Sequence, residues 1–220
     1  MMLIEEIERR GVTELLHFTT NRGIVGALDS GYLLSRYRVG QEDSLRYILH
    51  CNSTNRPEES DFFDKSEHWI DFVNLSISEI NRRYFEFSQG WHLNADVWWG
   101  ILSFDVAAMA DENVYFATTN NSYEFCIRKK GLEGFSDLFA PVIRRKSPSW
   151  SAYRLARAEN LPTCEQAEVL YPGALPIQYL RRIYVLNETC HDAVIGWLGE
   201  FGHADVDVQI NPQKFQGVKN

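Results

Sequence analysis

The stretch Gln166-Ala167-Glu168-Val169-Leu170-Tyr171 alternates polar and apolar residues. Period-two alternation predicts a β-strand, with Gln166, Glu168 and Leu170 on one face and Ala167 and Val169 on the other. A carboxylate in mid-strand, two residues from a glutamine, has two readings. On an edge strand both side chains simply face water. On a covered strand, the sheet holds the carboxylate rigidly in a cleft and the glutamine orients a substrate.

Outward from this strand, the chain reads as short elements of both kinds. Residues 2–10 form an amphipathic helix with Leu3, Ile4 and Ile7 inward. Leu15–Phe18 is a short strand. Thr20 or Asn21 then caps a helix carrying Ile24, Val25 and Leu28, which Gly31 closes. Residues 36–68 are polar and read as a long loop with a helical turn at Leu45–Leu49. Val73, Leu75 and Ile77 alternate with Asn74, Ser76 and Ser78 as a half-buried strand. Further strands are expected at Trp98–Asp105, Val114–Ala117 and Arg182–Leu186. Helix formers at Ala152, Leu155, Ala156 and Ala158 predict helix within 128–157, ended by Leu161-Pro162. Val194, Trp197, Leu198 and Phe201 predict a helix over His191–Phe201, and the tail after Asp207 adds a strand. No repeat or linker interrupts this order. The expectation is one α+β domain over 1–220, a mainly antiparallel central sheet flanked by helices.

Composition narrows the class. The chain has 220 residues, 45% hydrophobic and 24% charged, which is ordinary for a globular domain. No apolar run approaches the ~20 residues of a membrane span. Met1–Arg10 lacks the pattern of a signal peptide, so a cytoplasmic protein is expected. Cys51, Cys126, Cys164 and Cys190 are far apart and form no CxxC pair, which predicts free thiols. The six histidines include no HExxH or HxH, so no metal site is expected.

Charge is uneven. The net charge is −8, yet residues 128–157 hold eight bases against Glu133 and Asp137. That stretch is +6 and the other 190 residues carry −14. Phe135, Phe139, Trp150 and Tyr153 lie among the bases. Cations that neutralise phosphates beside flat rings that stack on bases suit a single-stranded nucleic acid. A solvated basic face balanced by acids elsewhere is the plainer alternative.

Three polar segments could carry chemistry: His17-Phe18-Thr19-Thr20-Asn21 at a strand-to-helix junction, Asn55-Arg56-Pro57 in the long loop, and Gln166-Ala167-Glu168. Gln-x-Glu on a late strand resembles the pattern of many NAD-dependent ADP-ribosyltransferases. The chain resembles one family more closely, the DarT toxins, which ADP-ribosylate bases in single-stranded DNA. Leu16-His17-Phe18-Thr19-Thr20-Asn21 resembles that family's opening NAD-contact segment. Arg56 precedes Asp71-Phe72-Val73-Asn74-Leu75-Ser76-Ile77 much as the family's arginine precedes its Asp-Tyr-Val strand. Ser76-Ile77-Ser78 with Asn81, Tyr84 and Phe85 resembles a branch with a Ser-Ile-Ser strand, and 162–171 resembles the catalytic strand. Phe72-Val73-Asn74-Leu75 stands where the thymine-modifying branch has Tyr-Val-Pro-Phe-Tyr-Phe, which favours the guanine-modifying branch.

The resemblance implies an ADP-ribosyltransferase-like fold with NAD+ as co-substrate and no metal. It implies that Glu168 stabilises positive charge developing on the ribose, and that Arg56 binds the diphosphate or ribose and helps the proton leave the base. His17, Phe18, Thr19 and Asn21 would hold NAD+, with Ser76, Asn81 and Tyr84 lining its pocket. Gln166 would contact the incoming base, and Arg144, Arg145, Lys146, Trp150 and Arg154 the DNA. The long loop would close over NAD+ and exclude water. Such a toxin, a monomer blocking replication in a toxin–antitoxin or anti-phage system, implies a DarG-like macrodomain antitoxin as partner. An ADP-ribosyltransferase acting on RNA or protein, a catalytically dead nucleic-acid-binding module, and a plain partner-binding domain are the competing readings.

Overall fold

A computed structural model describes residues 2–41, 69–90, 96–147 and 149–220. An eight-stranded sheet organises them, in the order β12-β11-β4-β1-β3-β9-β5-β6. The strands are β1 (Leu15–Thr20), β3 (Phe72–Ile77), β4 (Trp99–Phe104), β5 (Tyr115–Ala117), β6 (Arg128–Lys130), β9 (Glu168–Pro172), β11 (Leu180–Val185) and β12 (Asp207–Ile210). Every pairing in it is antiparallel except β11 with β12. That parallel pair is joined through α6 (Glu188–Glu200), because a parallel connection must cross over. Two small antiparallel pairs complete the β-structure: β2 (Tyr32–Leu34) with β10 (Ala174–Pro176), and β7 (Val142–Arg144) with β8 (Ser151–Tyr153).

Alternation along the strands divides the apolar residues between the two faces of the sheet. Leu15, Leu75, Leu102, Val169 and Ile183 point into the main core. There they meet α1 (Leu3–Arg9) through Ile7, α2 (Asn21–Ser30) through Ile24 and Leu28, α5 (Gly131–Asp137) through Phe135, and α6 through Val194 and Leu198. Burying one such side chain contributes about 1.5–3 kcal/mol. On the other face, Leu16, Ile101 and Tyr184 meet Phe85 of α4 (Arg82–Gln89) and Phe215 of the 3₁₀ turn at 212–216. Lys214 ties that turn to the sheet by an ion pair with Glu14 (2.8 Å).

The expected strands and the first and last helices are present, with boundaries shifted by a few residues. Thr20 is the cap of α2, accepting from the Gly23 N–H, and Gly31 at φ 72° ends the helix in the left-handed conformation. The tail after Asp207 does form a strand. Two expectations fail. Residues 36–41 form the short helix α3 (Arg36–Gln41) rather than loop; the expected turn at Leu45–Leu49 lies outside the described residues. Region 128–157 is mostly not helical: it forms β6, α5, β7 and β8. Helix propensity there is overridden by arginines that take main-chain carbonyls. Arg154 donates to Leu161 O (3.0 Å) and Ala158 O (3.1 Å), and Arg157 to Pro162 O (2.6 Å). Ala152 is a buried strand residue, and Leu155 sits at φ 43°, outside any helix.

Candidate active site

The sheet contains a seam. β1 pairs with β4 along its whole length, and β3 pairs with β9, but β1 and β3 pair only at Leu15–Ile77 and Leu16–Ser76. Beyond Leu16 the two strands part. The backbone groups freed there need partners, and the His17 ring supplies one: its Nδ1 lies 3.0 Å from the Asn74 carbonyl. A cleft of about 200 Å³ opens at the split, lined by His17, Asn74, Phe72, Tyr84, Asn121 and Glu168 among others. Arg36 of α3 and Trp69 also line it.

His17 is half-buried at the cleft wall, and desolvation pushes its pKa down against the opposing bond to Asn74. The neutral ring therefore carries its proton on Nδ1, donating to Asn74, and leaves Nε2 as an acceptor. Opposite, Glu168 begins β9 and pairs with Ala117 of β5. Alternation is as expected: Ala167 and Val169 enter the main core, while Leu170, on the Glu168 face, packs with Trp69 and Ala117. Glu168 is 8% exposed. Its Oε2 accepts from the main-chain N–H of Asn121 at 2.7 Å. A carboxylate on a strand with a fixed main-chain donor is pre-aimed, so a charge developing beside it is stabilised without reorganisation.

Asn121 lies in the loop joining β5 and β6. Its Nδ2 donates to Trp69 O (3.2 Å), and its Oδ1 accepts from Arg128 Nε (2.6 Å). Arg128 Nη2 also donates to the Asn121 carbonyl, and the guanidinium lies over the Trp69 ring at 5.0 Å. Sequence reasoning missed this loop. Its signal was the run Asn120-Asn121-Ser122, whose first side chain accepts from the Ser122 N–H (3.0 Å) in a local turn.

The other expected contacts fall in three positions. Tyr84 joins His17 and Glu168 in the cleft lining. Ser76 and Asn81 sit one layer back: Ser76 Oγ accepts from the Asn81 N–H (3.3 Å), and Asn81 Oδ1 caps α4 by accepting from the Tyr84 N–H (3.1 Å). They set where Tyr84 stands. Phe18 points to the opposite face, packed on Phe85 at 5.1 Å and Trp99 at 5.7 Å. Thr19 packs so closely on Gly23 that a Cβ there would overlap its hydroxyl. Asn21 donates to Asp96 O (2.9 Å). Gln166 is not in the cleft lining; it precedes β9, buried, and its Nε2 donates to the Tyr123 hydroxyl (3.3 Å). Arg56 and its loop neighbours lie outside the described residues.

The basic set divides. Arg144 and Lys146 are exposed, with Arg144 over Phe125 at 4.1 Å. Arg154 is spent on main-chain carbonyls and on the Phe139 ring (5.2 Å). Arg145 is buried beside Trp150. Among the described residues, no group of three His, Cys, Asp or Glu side chains could hold a metal, and no helix is long and apolar enough to cross a membrane. Cys126, Cys164 and Cys190 are free thiols; Cys51 lies outside the described residues.

A split sheet with a buried carboxylate at the head of an interior strand, facing a cleft, is an arrangement that suits an ADP-ribosyltransferase, which stabilises positive charge on a ribose. The family model described as DarT, ssDNA thymidine ADP-ribosyltransferase, matches residues 16–216. The chain therefore belongs to the DarT family. Its fold is similar to that of Thermus sp. 2.9 DarT in complex with ADP-ribosylated ssDNA (TM-score 0.64, 16% identity, covering 93% of this chain and 96% of that one). It is similar also to the same Thermus protein in complex with NAD+ (TM-score 0.61, 17% identity, 91% and 96% covered). A third similar structure is Thermosipho africanus DarTG in complex with ADP-ribose (TM-score 0.63, 16% identity, 92% of this chain covered). This chain spans half the length of that one. The curated proteins contain no match to the sequence.

Proposed function

We propose that this protein transfers ADP-ribose from NAD+ to a base of single-stranded DNA. Glu168 carries the proposal: a buried carboxylate aimed into the cleft by the Asn121 N–H at 2.7 Å. Breaking the nicotinamide–ribose bond builds positive charge on the ribose, as glycoside cleavage does. A fixed carboxylate beside that ribose stabilises the charge and accepts a hydrogen bond from a ribose hydroxyl. The neutral His17 ring and the main chain beside it hold the nicotinamide end, and Tyr84 closes the cleft from α4. Arg56 serves the diphosphate, since a guanidinium fork pairs with two oxygens. The attacking base nitrogen loses a proton as its bond to the ribose carbon forms, and nicotinamide departs with the bonding pair. The NAD+ and ssDNA complexes of the Thermus relative support this choice of substrates.

The favoured acceptor is guanine rather than thymine, resting on Phe72-Val73-Asn74-Leu75, of which Phe72, Val73 and Asn74 line the cleft. An acceptor in a single strand needs no flipping from a duplex. The proposal includes a replication-blocking toxin role in an anti-phage setting and a DarG-like macrodomain antitoxin partner, both drawn from the family resemblance.

Mass spectrometry of short oligonucleotides incubated with NAD+ tests the reading. The panel varies one base at a time and includes duplex and RNA forms. One added ADP-ribose on guanine-containing single strands, lost in Glu168→Ala, is the expected result. No addition to any DNA, or addition that survives Glu168→Ala, overturns it.

A further inference from the structure

A second pocket, of about 360 Å³, lies where α4 meets the loop before β9. Its walls carry four bases, Arg82, Arg83, Arg145 and Lys219, against the carboxylates of Glu86 and Glu165, with the Trp150 ring between them. The Arg83 guanidinium is 4.9 Å from the Trp150 ring centroid and that of Arg145 is 5.2 Å from it. Arg82 is already paired with Glu86 at 2.7 Å. Arg83 is exposed and has no carboxylate in ion-pair range among the described residues. Arg145 is only 4% exposed, and its Nε, although buried, donates to nothing. Its Nη2 reaches Glu165 at 3.9 Å and the Asn220 carbonyl at 3.4 Å, both long. A buried cationic donor without an acceptor is costly, and an anion arriving there removes that cost.

Two connections tie this pocket to the cleft. Arg83 and Tyr84 are consecutive on α4; the first lines the pocket and the second lines the cleft. On the other side, the Trp150 ring packs on Tyr123 at 5.9 Å, Tyr123 accepts from Gln166, and Gln166 lies two residues before Glu168.

We infer that this pocket is a subsite for the nucleotide next to the modified base, with that neighbouring base stacked on Trp150 and its phosphate held by Arg83 and Arg145. The inference rests on the single-stranded DNA reading above. An incoming base takes the ring face that Arg83 now covers and moves the guanidinium onto the adjacent phosphate. A cation–π contact is exchanged for ring stacking plus a charge-assisted hydrogen bond. The half-buried ring and the cationic wall match an aromatic platform beside a phosphodiester, and any base presents a flat face to it.

The test is an abasic scan. Oligonucleotides carry one abasic site at successive positions on either side of the acceptor base, and initial transfer rates are compared with the intact strand. The wild type is expected to lose about tenfold at one neighbouring position, the size of a lost stacking contact. Trp150→Ala should give equal rates on intact and abasic strands at that position, and Trp150→Phe should restore the difference. An uncharged methylphosphonate at the same step should slow the wild type, and slow Arg83→Ala clearly less, because only Arg145 then still meets the phosphate. Arg83 is exposed on α4, so this second variant carries the test if Trp150→Ala melts early. A position-dependent abasic loss in Trp150→Ala equal to that of the wild type, or a phosphonate effect as large in Arg83→Ala as in the wild type, overturns the inference. A flat scan in a wild type that does modify DNA sinks the subsite alone. No modification of any DNA sinks the function proposed above and the subsite with it.

Discussion

The main-chain N–H of Asn121 donates to Oε2 of Glu168 at 2.7 Å, and Arg128 grips Asn121 through both its side-chain and main-chain oxygens. Arg128 belongs by sequence to the basic stretch that reads as nucleic-acid binding, yet its guanidinium is committed to this loop. It is a positioning residue for the carboxylate. Arg128→Ala is expected to lower kcat about 10- to 100-fold with a smaller change in KM for NAD+. Arg128→Lys should not restore it, because an ammonium cannot reproduce the two-pronged grip. Steady-state kinetics on an oligonucleotide substrate check this; a variant with wild-type kcat would remove Arg128 from the account.

Glu168→Gln keeps the shape and hydrogen-bond reach of the side chain but removes its charge. If the charge stabilises the transition state, transfer should fall about 10²- to 10³-fold while NAD+ still raises the melting temperature. A thermal shift with and without NAD+, beside the rate, separates lost catalysis from lost binding.

His17 offers a pH test. Its pKa is depressed below the ordinary value near 6.5 by burial. The unfolded chain therefore binds this proton more readily than the folded one. The neutral ring favours folding above about pH 6.5, and that contribution is lost as pH falls through the lower folded value. Nitrogen chemical shifts of the ring should report a neutral Nδ1–H tautomer at pH 7. A ring already cationic at pH 7 contradicts the geometry.

Glu6, buried on α1, is held to about 2 by hydrogen bonds first from Arg9 and then from Arg10, against burial. A depressed carboxylate contributes stability above its unfolded value near 4.5, and the contribution fades as pH falls toward 2. Glu6→Gln should lower the urea midpoint at pH 7, and the gap to wild type should close between pH 4.5 and 2. A gap that does not change with pH would assign the loss to packing.

Gly173 follows β9 at φ 62°, and a Cβ there would overlap the Arg38 guanidinium. Arg38 lies there to pair with Asp71 (3.0 Å), just ahead of β3. Gly173→Ala should cost about 1–3 kcal/mol, from the left-handed backbone and the displaced arginine together. Chemical denaturation measures it.

The parts legible in the sequence are those with a local cause. Period-two alternation marked β9 and β3, Thr20 and Gly31 bracketed α2, and helical spacing marked α6. His17, Tyr84 and Glu168 were found through motifs, and they meet in one cleft. What was illegible depends on distant partners. Nothing near Asn121 indicates that its N–H will meet a carboxylate 47 residues on. Nothing in Arg154 or Arg157 indicates that carbonyls will claim them, and alanine-rich neighbours argued for a helix that those bonds replace.

The seam between β1 and β3 has a mechanical meaning. Among the described residues, the sheet's halves pair at Leu15–Ile77 and Leu16–Ser76, with one more main-chain bond from the Ser78 N–H to Glu14 O (3.1 Å) at the closed end. One half carries His17 and the other carries Glu168. Each half is zipped within itself, β1 to β4 and β3 to β9, so a change in the width of the gap loads the short closed end and leaves both ladders intact.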